Sequence, residues 1–183
     1  RVIFGGGGGA GDGNDEMGVN GANGGGAVLI RAGSLLGTGT VSANGDNALD
    51  ATGVGHDAVS GGGAGGAVVI RVVGEANCSM ASALGGNGGN TVYEEHGPGG
   101  GGAGGRIMIQ ADSSVCDTNV DGGSAGVQGN TSWAGGVNYG ALNGDLGQVD
   151  LPSDGGLPID SDRDGLLDVF EGPIDTDGDE NLN

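Results

Sequence analysis

Asp160, Asp162, Asp164, Asp168 and Glu171 stand at positions 1, 3, 5, 9 and 12 of the run DSDRDGLLDVFE, with Gly165 at position 6. Oxygen donors at that spacing suit a hard divalent cation. Ca2+ takes about six to eight oxygens, the glycine permits the sharp turn, the Leu166 main-chain carbonyl serves position 7, and Glu171 can close the shell with both carboxylate oxygens. Without a cation the carboxylates repel one another. A second run, DTDGDENLN, repeats the spacing with Asp175, Asp177, Asp179 and Asn181, although Glu180 takes the place of the turn glycine.

The first run resembles an EF-hand calcium loop, and the tandem resembles thrombospondin type 3 and related bacterial calcium repeats over residues 160–183. The resemblance implies Ca2+ as the cofactor. The preceding LPSDGGLPI reads as a linker rather than an entering helix, so a full EF-hand domain is not expected. Near the start, AGDGNDEM resembles one RTX-type calcium nonapeptide, but without a second copy it reads as a polar glycine loop.

Other side chains promise less chemistry. His56 and His96 lack cysteine or histidine neighbours at metal-ligand spacing, and no serine sits in a nucleophile elbow. The glycine tracts lack the lysine and strand-helix setting of a phosphate loop. An enzyme is therefore the least favoured class, and no catalytic residue is assigned. Asn77-Cys78-Ser79 and Asn130-Thr131-Ser132 fit the glycosylation sequon, which is common by chance. Tyr93, Trp133 and Tyr139 would serve sugar binding if they formed one patch.

The elements that must carry these groups are written three times. GGAVLIRAG from Gly25, GGAVVIRVV from Gly65 and GGRIMIQAD from Gly104 bring Ile30, Ile70 and Ile109 into line at spacings of 40 and 39 residues. A fixed period of this size signals stacked units. In each run Val28, Ile30 and Ala32, then Val68, Ile70 and Val72, then Ile107, Ile109 and Ala111 share one strand face. The opposite face is apolar at its centre too, which predicts cover on both sides, with the glycine tracts as the available cover. Arg31 beside Arg71 is a like-charge pair. Weaker strands follow at TGTVSANG, NCSMASALGG and VCDTNVDGG, and NGGN and GPGG read as punctuation.

Forty-nine glycines with four prolines exclude collagen, which needs abundant proline and glycine at every third position. Extended glycine can adopt a three-residue helix whose copies pack closely, because no Cβ intervenes. The rhythm resembles glycine-rich repeats of secreted bacterial surface proteins, and the tracts resemble the polyglycine-II bundles of phage fibre tips and of a springtail antifreeze protein. The expected fold is an all-β, solenoid-like stack of about 40-residue repeats with polyglycine-II-like layers. Its expected domains are 1–152 for the repeats, 153–158 for a linker and 159–183 for the calcium segment.

A formal charge of −19 makes nucleic acid an unsuitable partner, and no apolar run is long enough to span a bilayer. Cys78 and Cys116, 38 residues apart, would lie on adjacent turns within disulfide reach, implying an oxidising compartment. Arg1–Phe4 reads as a strand left from an earlier repeat, whose open edge invites head-to-tail pairing with a second copy. The functional expectation is an extracellular or cell-surface structural protein that self-assembles into a Ca2+-stabilised filament or matrix. The alternative is a surface adhesin binding glycans or a cell surface, or an ice-binding module, for which ordered threonine ladders would speak.

Overall fold

The computed structural model describes residues 3–13, 18–51, 58–92, 96–129 and 139–151. The chain divides between Asp150 and Leu151 into two units, and the elements below belong to the first. Its strands are β1 (Ala27–Ala32), β2 (Thr40–Ser42), β3 (Ala67–Val72), β4 (Glu75–Ala76), β5 (Met80–Ser82), β6 (Arg106–Gln110), β7 (Ser113–Ser114), β8 (Asp117–Asn119) and β9 (Gln148–Asp150). The longest of these are the β-branched runs, whose side chains suit a half-buried pleated surface.

These strands pair in parallel throughout. One sheet has the order β1-β3-β6-β9, a second β2-β5-β8, and a third pairs β4 with β7. Ile30 lies opposite Ile70 and Ile70 opposite Ile109, in the register given by the spacings of the sequence. Parallel neighbours need a long crossover. Here each crossover carries a short strand of the second sheet and two extended glycine-rich segments.

Val68, Ile70 and Ile107 are fully buried, with Ile109 and Val72 nearly so. They pack with Ala43, Ala76, Ala81, Ala83 and Val120, small residues that let the second sheet approach closely. The opposite face departs from expectation. Leu29 is 65% exposed, because the glycine segments bond to one another instead of covering that side of β1. Arg31 and Arg71 do lie in register. Arg71 Nε donates to Gln110 Oε1 at 2.6 Å, and both arginines face solvent, which screens their repulsion.

The all-β, solenoid-like stack with polyglycine-II-like layers is corrected by this architecture. It is a mixed arrangement in which no helix occurs among the described residues and about 29% is strand, in three small parallel sheets. The physical reason lies in the glycine backbone. A strand aims its N–H groups alternately to two sides, whereas successive N–H groups of residues 61–66 take three directions in turn. Gly61 and Ala64 donate to Gly9 and Gly6, Gly62 and Gly65 to Gly100 and Ala103, and Gly63 and Gly66 to Asp46 and Ala43. Such a segment has neighbours on three sides and builds no ladder. At its centre a Cβ on Gly63 would overlap the Asn23 carbonyl, so the packing itself demands glycine.

Two further expectations change. Ile3 and Phe4 are not in a strand, because the segment they lead into turns back. Gly5, Gly8 and Gly11 donate to Gly25, Ala22 and Val19 at 2.8–2.9 Å, which is antiparallel pairing. NGGN, residues 87–90, is no turn but part of an extended segment, and its asparagines have a specific task. Asn44, Asn47 and Asp50 accept through Oδ1 from Leu84, Asn87 and Asn90 N at 2.9, 2.7 and 2.7 Å. Asn87 and Asn90 pass the pattern on to Ser124 and Val127 N. Side-chain carbonyls thus satisfy the third set of N–H groups where no neighbouring backbone lies.

Candidate functional site

The open end of the four-stranded sheet is formed by β1. Gly26 O and Ala32 O accept from Ala67 and Val73 N, so the even-numbered residues of β1 face β3. By the alternation of a strand, the N–H and C=O of Ala27, Leu29 and Arg31 face the free side. β1 is terminal in its sheet, and those groups offer a parallel pairing edge.

Side chains tell the same story. Val68 and Ile70 are 0% exposed, yet their register partners Val28 and Ile30 are only half-buried. Among the described residues β3 has a strand on both sides and β1 on one. Burying what remains of two such side chains favours addition of another layer, at up to about 1.5–3 kcal/mol for each full side chain. Proteins usually protect an edge of this kind with charge, proline or a bulge; on β1 Arg31 alone supplies charge. Leu36 and Leu49, both about two-thirds or more exposed, add apolar surface in the same first repeat.

At the other end of the sheet β9 is three residues long and is held to β6 by an ion pair and a hydrogen bond from Arg106 to Asp150 Oδ2, the latter 2.7 Å from Nε. Val115 and Leu142 are largely exposed in the last repeat.

The sequence-predicted site residues separate into three groups. Cys78 and Cys116 are brought together as a disulfide with Cα atoms 4.6 Å apart. Asp160, Asp162, Asp164, Leu166, Asp168, Glu171, Asp175, Asp177, Asp179 and Asn181 lie outside the described residues, as do His56, Tyr93, Trp133 and the whole second sequon. Tyr139 is half exposed at a φ of 46°. Among the described residues no group of three or more His, Cys, Asp or Glu could hold a metal, and no helix is long and apolar enough to cross a membrane. Threonines do not line up: Thr40 lies opposite Met80, Thr118 opposite Ala81, and Thr91 bridges Ala51 and Gln128.

Sequence reasoning missed two features. The terminal strand of the four-stranded sheet is β1 and not Arg1–Phe4. The Asn44, Asn47 and Asp50 ladder was signalled by polar amide and carboxylate side chains at intervals of three, repeated at Asn87 and Asn90. Comparison with family models, with curated proteins and with solved structures finds no match.

Proposed function

We propose that this chain is a structural subunit of an extracellular surface filament or matrix, growing head to tail by parallel addition at the β1 edge, with Ca2+ held by the acidic C-terminal runs. The observation that carries the reading is the contrast between half-buried Val28 and Ile30 and their fully buried partners Val68 and Ile70. The free edge of β1 is equivalent to the edges by which β3 and β6 pair in register with the repeat before them, so it is matched in spacing and side-chain pattern to another repeat of the same kind. A contact between two different ends does not close on itself and generates a fibre. The disulfide supports an oxidising, extracellular setting.

Leu29→Pro tests the growth edge. The Leu29 side chain is exposed and its N–H lies on the free side, so proline removes an outward donor and leaves the β1-β3 ladder intact. Electron micrographs should show filaments for the natural chain in calcium and dispersed particles for Leu29→Pro, with unchanged circular dichroism. Dispersed particles for both would sink the filament reading.

A further inference from the structure

The glycine segments lie in layers. Residues 18–25, 58–66, 98–105 and 142–147 succeed one another in a middle layer, joined by Ala22 and Gly25 N to Gly61 and Ala64 O, by Gly62 and Gly65 N to Gly100 and Ala103 O, and by Gly101 and Gly104 N to Leu142 and Asp145 O. One side of this layer meets residues 43–51, 83–91 and 119–128. Among the described residues the other side carries 5–11 alone, seated over the first two members. Gly5 and Gly8 N donate to Gly25 and Ala22 O, and Gly61 and Ala64 N donate to Gly9 and Gly6 O.

One step along, over the second and third members, the same four kinds of group recur. The carbonyls of Gly65 and Gly62 correspond to those of Gly25 and Ala22, and the N–H groups of Gly100 and Ala103 to those of Gly61 and Ala64. None of the four has a hydrogen-bond partner among the described residues. Gly65 lines one, and Gly62 and Gly100 line the other, of two open grooves of about 400 Å³ each beside the ridge of residues 5–11. Unpaired main-chain groups seek partners, and the occupied position next door displays the shape that fits: an extended glycine segment. Ala103 is no obstacle, since Ala64 at the corresponding place already lies under the ridge.

We propose that this groove seats residues Gly5–Gly11 of a second copy, so that two chains pair sideways and share one glycine layer. The ridge and the groove lie side by side on one face, which makes the face self-complementary under a two-fold axis. A Cβ at Gly6 or Gly9 meets nothing within 4 Å, so the ridge keeps an open flank for the partner. The chain carries −19, yet the grooves are lined by glycine, alanine, proline, a few apolar side chains and Gln148, with Arg106 the single charged residue. Exposed Phe4 and Leu146 at one end supply apolar anchors. This contact uses a different face from the β1 edge and does not depend on filament growth.

Sedimentation of the full chain carrying Leu29→Pro, with growth at the edge blocked, isolates the sideways contact. Dimers are expected. Gly100→Val fills the groove where a Cβ has only the Leu142 carbonyl at 3.6 Å, and Gly9→Val fills the ridge flank. Each should weaken dimerisation at least about tenfold, while Gly39→Ala, open space elsewhere, should leave it unchanged. A monomeric Leu29→Pro chain with native circular dichroism, or a Gly100→Val chain that dimerises like its parent, overturns the proposal. If Leu29→Pro does not fold, filament width in micrographs reads the same contact: paired for the natural chain and single for Gly100→Val, with equal widths overturning it.

Discussion

At Asn47 a single amide replaces a strand of backbone. Its Oδ1 accepts from Asn87 N at 2.7 Å on a side of the glycine layers where no main chain lies. The bond is exposed, so water can replace it in part, and Asn47→Ala should cost about 0.5–1.5 kcal/mol in denaturant unfolding. Asn47→Asp keeps the acceptor and should cost less. Gly63→Ala is a different case, because the added methyl meets the Asn23 main chain in a buried layer. It should cost more than about 3 kcal/mol. An Asn47→Ala loss as large as that of Gly63→Ala would refute the view of the ladder as an outer finish. The three-residue spacing of Asn44, Asn47 and Asp50 was visible in the sequence, but asparagine beside glycine is also the commonest mark of a turn. Only the directions of the neighbouring N–H groups separate the two meanings.

Among the elements, β1 and β3 have nearly the same sequence and different surroundings. Ile70→Ala removes a side chain that is 0% exposed and should destabilise the single chain by about 2–5 kcal/mol. Ile30→Ala, at the half-buried partner position, should cost less than half as much in dispersed protein. On the proposed assembly it should cost a similar amount to Ile70→Ala in filaments. Equal losses in dispersed protein would show that β1 is already covered. Strand positions and register were legible because β-branched runs recur at 40 and 39 residues, and side-chain patterns report pleated ladders well. The glycine segments were legible as extended and close-packed but not in direction or partner. Glycine carries no side chain to mark a face, so neither the reversal at residues 5–11 nor the groove beside it left a pattern of hydrophobic alternation.

The whole chain carries 24 acidic residues against five arginines, so association of copies at either face must overcome like-charge repulsion. Two mechanisms can relieve it, and they differ in what they need. Diffuse screening requires only ionic strength and acts on all exposed charges alike. Site binding requires the spacing of Asp160, Asp162, Asp164, Asp168 and Glu171 and a cation that accepts about six to eight oxygens, which suits Ca2+ better than the smaller, octahedral Mg2+. Calorimetry on the full chain should therefore show calcium binding that Asp160→Ala with Glu171→Ala abolishes at the first run. Filament growth should follow the same dependence: present in calcium, weak in sodium chloride of matched ionic strength, and insensitive to calcium in the double variant. Growth in sodium equal to that in calcium would assign the effect to screening and remove the acidic runs from the mechanism, leaving the β1 edge sufficient by itself. No heat of calcium binding to the full chain would remove the cation altogether.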